Sequence, residues 1–351
     1  MSKILINGYF LCGRLTGIER YAREITLRLD MLSAPGEISI IVPSNAGDIP
    51  PYKNITVIKY MKKVPKIFWQ NLVLQFFLLT RRQYTILDFG NTCLPLAPGI
   101  VFLHDIYCEF FPEDFTGFRD KLARLYNRAQ YRLIARKAKK IVTVSQFSKN
   151  QIAETYHVDP ARISVIYSSW DHFAGIAADY SVFDDYPILS RPFYFSLGSI
   201  SRRKNIKWIM AYATKHPYDL FAVSGSVLPT ASSGEPPQSA PSNIMLMGYM
   251  PDARVKALME RCKAFILPSY YEGFGLTPLE ALACGAPVIV SNAASLPEIY
   301  GDAARYIDPD NPDIDLDALL SQPVADPAPL LKKYSYEASA ALVYDLIRDN
   351  G

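Results

Sequence analysis

The chain has 351 residues, half of them apolar, with 37 Lys+Arg against 34 Asp+Glu and five cysteines. This length allows two domains of about 150 residues each, and the ordinary composition excludes a disordered or fibrous protein. No run reaches the ~20 apolar residues of a membrane-spanning helix, the first residues contain no secretion signal, and the cysteines form no Cys-x-x-Cys pair. A reduced, cytoplasmic protein without a zinc site is therefore expected.

Short β-branched runs alternate with helical patterns along the whole chain. Strand candidates in the first half are Ile4–Ile6, Ile38–Val42, Ile55–Ile58, Thr85–Leu87, Val101–Leu103, Ile141–Val144 and Ile163–Ile166. Those in the second half are Phe193–Gly198, Leu220–Val223, Ile244–Met247, Ala264–Leu267, Val288–Val290 and Arg305–Ile307. Apolar strands separated by helices predict parallel sheets covered on both faces.

The alternation falters at 170–192, where acidic residues and prolines interrupt it. We therefore predict an α/β protein of two Rossmann-like, doubly wound domains that face a cleft, with limits at 1–175 and 190–330. The helical spacing of the tail, 335–351, predicts a final helix that packs on either domain, with the amino-terminal one expected. Ligands bind beyond the carboxyl ends of strands in such sheets, so the chemistry should lie in the cleft.

Charge is divided unevenly between the two halves. Residues 1–170 carry 23 Lys+Arg and 13 Asp+Glu, whereas residues 171–351 carry 14 and 21. The basic excess is concentrated in Lys59–Tyr84, which encloses the apolar run Ile67–Leu79, and in Arg119–Lys140. These segments indicate either a buried helix beside a solvated basic helix, or a basic surface that rests on an anionic membrane. No nucleic-acid partner is expected, because no reader motif accompanies the basic residues.

The densest chemical signal is the segment Pro268–Val290. A strand ends near Leu267, a glycine-flanked loop follows, and a helix is predicted from Thr277 with Pro278 at its first position. A helix N-terminus beside a glycine loop is suited to anions, and the phosphates of a nucleotide are the obvious candidates.

Two glutamates of this segment are separated by seven residues. Glu280 fits a capping box with Thr277, which would stabilise the helix start without any ligand, so a structural and a functional role are both open. Glu272 lies in the glycine loop, where a carboxylate can accept hydrogen bonds from sugar hydroxyls.

A second constellation, Gly198–Asn205, follows the first strand of the second domain and opens a helix at about Asn205. Its cations Arg202, Arg203 and Lys204 suit a diphosphate, since arginine can bind two oxygens and lysine supplies a point charge. A solvated basic turn is the structural alternative.

Two further candidates lie in the first domain. The loop Gly8–Tyr21 does not match Gly-x-Gly-x-x-Gly, so the dinucleotide-binding fingerprint is absent. This loop is either a plain strand–helix connection or a phosphate-binding loop. His104 follows the strand Val101–Leu103 at its carboxyl end, the favoured place for function, although a lone histidine is more often structural. Ser145 also follows a strand, and helix capping is its expected role.

These motifs resemble the retaining family-4 glycosyltransferases of the GT-B fold, the group 1 glycosyltransferases. The family's Glu-x7-Glu motif is matched by Glu272 and Glu280, and the surrounding Tyr271–Leu276, Leu296-Pro297-Glu298 and Gly301–Ala304 are similar as well. Thr277 is a small departure, because most family members have proline there.

The resemblance implies a role for each matched position. The first glutamate, Glu272, would approach the hydroxyls of the donor sugar, and Glu280 would bind the nucleotide ribose. Lys204 and Arg203, with Arg202 in reserve, would bind the donor diphosphate, and His104 would lie near the outer hydroxyl of the sugar or the reacting centre. Further donor-binding positions are Gly273, Phe274, Gly275, Leu276, Thr277, Gly198 and Ser199, and the glycine loop that closes over phosphate and acceptor contains Gly13, Thr16 and Gly17.

The resemblance also implies the reaction: transfer of a hexose, with retention and without a metal or cofactor, from a nucleotide sugar to a glycan or polyprenyl-diphosphate-linked acceptor. No Asp-x-Asp pair marks a Mg²⁺ site. The expected setting is surface-polysaccharide assembly at the cytoplasmic face of the inner membrane. GDP-mannose is the first choice of donor and UDP-hexoses stay open. The alternatives are a nucleotide-sugar epimerase on the same fold and a non-catalytic nucleotide-sugar binder.

Overall fold

The computed structural model describes residues 3–13, 15–198, 201–225 and 240–350. The strands are β1 Lys3–Asn7, β2 Ile38–Val42, β3 Thr56–Lys59, β4 Tyr84–Asp88, β5 Ile100–Phe102, β6 Lys140–Thr143, β7 Ile163–Val165, β8 Phe193–Leu197, β9 Leu220–Ser224, β10 Ile244–Gly248, β11 Ala264–Leu267, β12 Val288–Ser291 and β13 Arg305–Ile307.

The helices complete the alternation that the sequence predicts. They are α1 Gly17–Leu32, α2 Lys66–Phe68, α3 Gln75–Thr80, α4 Tyr107–Phe110, α5 Phe118–Lys137, α6 Gln146–Tyr156, α7 Val182–Asp185, α8 Ile206–Lys215, α9 Asp252–Arg261, α10 Leu276–Ala283, α11 Leu296–Tyr300, α12 Leu316–Ser321, α13 Ala328–Lys333 and α14 Tyr336–Asn350. A π-helical stretch, Trp69–Leu74, joins α2 to α3, so that residues 66–80 form one continuous helical segment. Ser145 caps α6 as expected, since its Oγ accepts a hydrogen bond of 3.0 Å from the amide of Ser148.

The first sheet has seven strands in the order β3-β2-β1-β4-β5-β6-β7, and every pairing is parallel. Ile4 of β1 lies opposite Ile38 on one side and Thr85 on the other. All five residues of β2 are buried, as expected for a parallel strand that is covered on both faces.

The second sheet has six strands in the order β10-β9-β8-β11-β12-β13, again all parallel. This is the doubly wound order in which the chain reverses direction across the sheet between the first and fourth strands. Its core contains the large aromatic residues Tyr194, Trp208 and Phe221. The predicted α/β class with two Rossmann-like parallel sheets is confirmed, because every predicted strand is present to within about a residue at each end.

The chain divides into two compact units by its internal contacts. Unit 1 comprises Met1–Ile106, Leu125–Ser168 and Ser335–Gly351, and unit 2 comprises Tyr107–Arg124 and Ser169–Tyr334. The predicted limits 1–175 and 190–330 stay a prediction, and the structure adds two features to it. Residues 107–124 group with unit 2, and so does the whole stretch from 169 to 192.

Within unit 2, the 169–192 stretch is held to α9. Lys256 donates to the carbonyl of Ile176 at 2.7 Å, and Arg254 forms ion pairs with Asp179 and Asp185. Within unit 1, α14 packs against α1, where the rings of Tyr336 and Tyr21 are 5.9 Å apart.

Two glycines meet at the carboxyl ends of β8 and β9. Gly198 donates to the carbonyl of Ser224 at 3.0 Å, and Gly225 donates to that of Gly248 at 2.8 Å. A methyl group on Gly225, which has a φ of +153°, would lie 1.6 Å from the carbonyl oxygen of Gly198. Only a residue without a side chain allows the two backbones this approach.

Gly225→Ala should therefore lower the free energy of unfolding by about 3 kcal/mol, because it combines a steric overlap with a strained φ. The measurement is urea unfolding followed by circular dichroism. Gly47→Ala is the control, since a methyl group there meets nothing within 4 Å, and it should change stability by less than about 0.5 kcal/mol. Equal stability of the two variants would contradict the close approach.

Candidate functional site

The candidate site lies in unit 2, at the carboxyl ends of the neighbouring strands β8 and β11. The direction of winding reverses between these strands, which makes this the expected ligand crevice of the sheet. The loop after β8 contains Arg203 and Lys204, and the loop after β11 contains Glu272. The two motifs are far apart in sequence, and the strand order places them side by side.

Glu272 is the centre of this arrangement. Its carboxylate lies 2.7 Å from Nζ of Lys204 through Oε1 and 3.2 Å from Nη1 of Arg203 through Oε2. The glutamate side chain is 7% exposed, and the lysine and arginine side chains are 17% and 20% exposed. A buried carboxylate is thus neutralised by two cations that still reach the surface. We call these three residues the Glu272 cluster.

Electrostatics in the cluster favour the charged form of Glu272. Burial by itself raises the pKa of a carboxyl group, but the adjacent Lys204 and Arg203 outweigh it and hold the pKa of Glu272 below its usual value. The carboxylate is therefore ionised at neutral pH and can only accept hydrogen bonds. Both cations are also partly exposed, so that an anion from solvent can approach them.

Backbone and side-chain bonds fix the two loops to each other. Arg203 donates to the carbonyl of Tyr271 at 2.9 Å, and the amide of Tyr270 donates to the carbonyl of Arg203 at 2.9 Å. The buried amide of Asn205 donates to the carbonyl of Pro268 at 3.0 Å. Tyr107, from the segment of the first half that groups with unit 2, places its ring 5.1 Å from the guanidinium of Arg203.

The residues predicted to bind the donor in the loop after β8 differ in where they lie. Arg203 reaches Glu272, whereas Arg202 is exposed to solvent. Gly198 faces the stem of Lys204, since a Cβ there would lie 3.3 Å from the lysine Cε. The predicted Ser199 lies outside the described residues.

The segment from Gly273 to Thr277 leads into α10, whose start differs from the prediction. The helix begins at Leu276 instead of Thr277, and its N-cap is Gly275, which provides no capping side chain. The predicted capping box is wrong, because the N-cap has no side chain and Oγ1 of Thr277 has no hydrogen-bond partner among the residues that the structure describes. The first amides of α10 therefore donate no hydrogen bond to a capping side chain.

Gly275 shows why the loop needs glycine at this point. Its φ is +82°, and a Cβ would lie 2.5 Å from Cδ2 of Leu296. Its carbonyl accepts a hydrogen bond from the buried hydroxyl of Tyr300. Gly273 and Phe274 are buried on the same loop, and the Phe274 ring packs edge-on against Tyr334 at 5.4 Å.

Glu280 is buried on α10 beside a residue that the sequence analysis missed. Its Oε1 lies 3.0 Å from Nε2 of His172, and the two side chains are 6% and 3% exposed. His172 belongs to a short 3-10 turn, Asp171–Phe173, near the start of the carboxyl-terminal part of unit 2. No motif marks it, because nothing in sequence spacing links a turn residue to a helix more than 100 positions later.

The other predicted residues lie in unit 1. His104 is buried after β5, and its Nε2 lies 3.0 Å from the carbonyl oxygen of Phe89. A carbonyl only accepts, so Nε2 carries the hydrogen and Nδ1 is left as an acceptor. Burial lowers the pKa of His104, which keeps the ring neutral at pH 7.

The predicted glycine loop connects β1 to α1 in unit 1. Gly13 and Gly17 are exposed with open space around them, and Thr16 occupies the N-cap of α1, where its side chain makes no capping hydrogen bond. Its hydroxyl bonds the carboxylate of Glu19 instead.

A polar pair that the sequence analysis also missed lies at the reversal point of the first sheet. Asn7 ends β1 and donates to Asp88, the last residue of β4, at 2.7 Å. Both are buried, and burial raises the pKa of Asp88. The sequence feature that could have indicated this pair is that each residue directly follows a predicted strand. Over the described ranges, no three His, Cys, Asp or Glu side chains are grouped to hold a metal ion.

Solved structures and family models place this chain among known proteins. It superposes on a sucrose-phosphate synthase of Thermosynechococcus elongatus with a TM-score of 0.73, 15% identity and 99% coverage of each chain. Anabaena HepE in complex with UDP-glucose gives 0.70 and 16% identity over 99% of this chain and 100% of that one. With its two Rossmann-like units, the chain has the GT-B fold.

The family follows from sequence. A model described as Glycosyltransferase Family 4 matches residues 15–172, and one described as Glycosyl transferases group 1 matches residues 238–340. Together they span most of the chain, which belongs to the family-4, group 1 glycosyltransferases. The O-antigen chain mannosyltransferase B of Escherichia coli is 28% identical over 334 residues, covering 85% of this chain and 84% of that protein. The family resemblance stated from Glu272 and Glu280 is thereby confirmed.

Glu272→Gln should test the electrostatics of the Glu272 cluster. At pH 7 the variant should unfold with a free energy lower by about 2 kcal/mol, because two cations lose their buried counter-charge. The contribution of Glu272 is complete above its unfolded pKa of 4.5 and is lost as the pH falls through its lower folded value, so the two proteins should converge below pH 4.5. Urea unfolding from pH 3 to 7 measures this, with the exposed Glu154→Gln as control. A pH-independent difference would contradict the pairing.

Proposed function

We propose that the protein is a retaining hexosyltransferase that transfers mannose from GDP-mannose to a glycan or polyprenyl-diphosphate-linked acceptor in surface-polysaccharide assembly, such as O-antigen, capsule or exopolysaccharide. The observation that carries the proposal is the Glu272 cluster at the reversal point of the second sheet, where one buried carboxylate lies 2.7 Å from Lys204 and 3.2 Å from Arg203. Family membership supports the transferase activity.

The donor would be bound through complementary charges and hydrogen bonds. Lys204 and Arg203 would attract the diphosphate through their positive charges, and the first amides of α10 would donate to the same oxygens. The lone pairs of Glu272 would accept from hydroxyls of the sugar. Glu280 would accept from the ribose of the nucleotide.

The transfer step exchanges one bond for another at the anomeric carbon. The acceptor hydroxyl attacks that carbon from the face of the leaving group, the bond to the phosphate oxygen breaks, and that oxygen takes the proton of the acceptor. Negative charge develops on the departing diphosphate, and Lys204, Arg203 and the start of α10 would stabilise it, which is electrostatic catalysis by preorganised groups without a metal or cofactor. The neutral His104 would accept a hydrogen bond from the sugar or the acceptor through Nδ1.

The choice of sugar rests on the relative. The Escherichia coli protein is named a mannosyltransferase of the O-antigen chain and aligns over most of both chains, which favours mannose and a polysaccharide acceptor. A UDP-hexose is the alternative donor. The same site would also suit two alternative functions: epimerisation of a nucleotide sugar, or binding of a nucleotide sugar without catalysis.

The deciding experiment supplies purified protein with GDP-mannose or UDP-glucose and a lipid-linked glycan acceptor, and follows both products. We expect a glycosylated acceptor with the anomeric configuration of the donor by NMR, together with free nucleoside diphosphate. An epimerised donor would favour the epimerase, inversion would refute the retaining mechanism, and donor binding without turnover over an acceptor panel would favour the binder.

Lys204→Ala should weaken binding of the nucleoside diphosphate, GDP or UDP, by about tenfold or more, since a charge-assisted hydrogen bond is lost. Isothermal titration calorimetry gives the dissociation constants. Lys207→Ala is a matched control, because it removes the same charge from an exposed position of α8 three residues later. If both variants bind like the wild type, Lys204 does not contact the diphosphate.

The proposal includes contact with an anionic membrane at the cytoplasmic face of the inner membrane. The helical segment 66–80 is apolar on two opposite sides. One side packs into the core of unit 1 through Trp69, Leu74, Phe77 and neighbours. The other presents large apolar side chains that are between 41% and 62% exposed, namely Ile67, Phe68, Leu72, Phe76 and Leu79.

Charge complementarity favours a lipid surface as the partner of this exposed side. Lys62, Lys63 and Lys66 precede it, and Arg81 and Arg82 follow it; all five are exposed, and no acidic residue occurs between positions 59 and 84. Apolar side chains flanked by cations suit the headgroup region of an anionic bilayer, where each cation contributes about 1 kcal/mol. Across the residues that the structure describes, no helix is long and apolar enough to cross a membrane.

The protein should cosediment with vesicles of phosphatidylglycerol and phosphatidylcholine at low salt and dissociate at high salt. Leu72→Ser combined with Phe76→Ser should reduce binding at least about tenfold, because the free energy that each apolar side chain gains on insertion into the lipid is lost. Leu342→Ser, at an exposed position of α14, is the control. Equal binding to pure phosphatidylcholine would contradict the role of charge, and unaffected binding of the double variant would contradict the role of the helix.

A further inference from the structure

His172 and Glu280 form a buried contact within unit 2. The imidazole Nε2 and the carboxylate Oε1 are 3.0 Å apart, and both side chains are more than nine-tenths buried. A carboxylate removed from water depends on the polar groups that pack against it, and the imidazole of His172 is in direct contact with Glu280. The capping box that would have explained Glu280 without any ligand is absent from α10.

Hydrogen bonds on both sides of His172 fix its position within unit 2. Ser169 donates to the carbonyl of Tyr334 at 2.7 Å, and Nε1 of Trp170 donates to the carbonyl of Leu331 at 3.0 Å. On the other side, Lys256 of α9 donates to the carbonyl of Phe173 at 3.3 Å. The turn that carries His172 is thereby held on both sides, and the imidazole lies against Glu280. Rigid support of this kind is what keeps a binding group in a productive geometry.

The contact leaves half of the carboxylate available. Oε1 faces His172, and Oε2 of Glu280 accepts no hydrogen bond from the ranges that the structure describes. A carboxylate with one oxygen fixed and the other open can accept hydrogen bonds from a vicinal diol, and a nucleotide ribose is such a diol.

We propose that His172 is the positioning residue for ribose recognition: it orients Glu280 so that the open oxygen binds the 2′- and 3′-hydroxyls of the donor nucleotide. This rests on the proposed function, which assigns the donor to this site. His172 touches no substrate itself and acts only through Glu280. Its removal should therefore affect the part of nucleotide affinity that depends on the ribose hydroxyls and leave the diphosphate-dependent part unchanged.

The experiment compares two ligands that differ only in those hydroxyls. Dissociation constants of GDP and 2′,3′-dideoxy-GDP, with UDP and its dideoxy analogue in parallel, are measured by calorimetry for wild type, His172→Phe and His172→Gln. We expect His172→Phe to bind the ribonucleotide about tenfold more weakly and the dideoxynucleotide like the wild type. His172→Gln should recover most of the loss, since its polar amide can occupy the same place beside Glu280. If His172→Phe does not fold, His172→Ala takes its place with the same expected loss.

Glu280→Ala and a distant histidine complete the test. In the Glu280→Ala background, the His172 substitution should have no further effect on either ligand. His216→Phe is the control, because His216 stacks on Tyr212 at 4.1 Å at the end of α8, before β9 begins.

The possible failures can be told apart. If the wild type binds neither GDP nor UDP, the proposed function fails. If it prefers the ribonucleotide but His172→Phe keeps that preference, the inference alone fails. Equal weakening of both ligands by His172→Phe would show a merely structural role and would likewise overturn it.

Discussion

The burial of one carboxylate is the constraint on which the second unit depends. Glu272 is charged and shielded from water, and that state is stable only because Lys204 and Arg203 lie beside it. The cations come from the loop after β8 and the carboxylate from the loop after β11, so the same contact that neutralises Glu272 also ties the two loops together. Charges arranged to stabilise the fold are thereby already in place for a charged ligand, which reduces the reorganisation that binding would require.

Much of this architecture could be predicted from the sequence. The strands were found because buried parallel strands are continuous apolar runs, and strands such as Ile38–Val42 and Ala264–Leu267 match the prediction at both ends. The loops that carry Glu272 and Lys204 could be found because glycines and charges directly after a strand are unusual. That these loops meet could be expected from the class of fold, since parallel strands end at one edge of the sheet.

What could not be predicted depends on contacts between distant residues. The sequence Thr277-x-x-Glu280 fits a capping box, yet Glu280 packs against His172 and the box does not form, because tertiary contacts outweigh a local pattern. Both sides of the 66–80 segment are apolar, so periodicity alone could not decide which side faces the core. The pairing of Asn7 with Asp88 likewise required knowledge of which strands are neighbours.

Residues 107–124 have a consequence for how proteins of this kind can be recombined. They belong to unit 2 although they precede most of it by some 45 positions, and they supply the aromatic ring beneath Arg203. No single stretch of the chain therefore contains the whole of unit 2. A chimera of the amino-terminal half of this chain and the carboxyl-terminal half of a relative would take residues 107–124 from one parent and the partner of Tyr107, Arg203, from the other. Natural exchange of whole halves should therefore be restricted to parents in which these two segments fit each other.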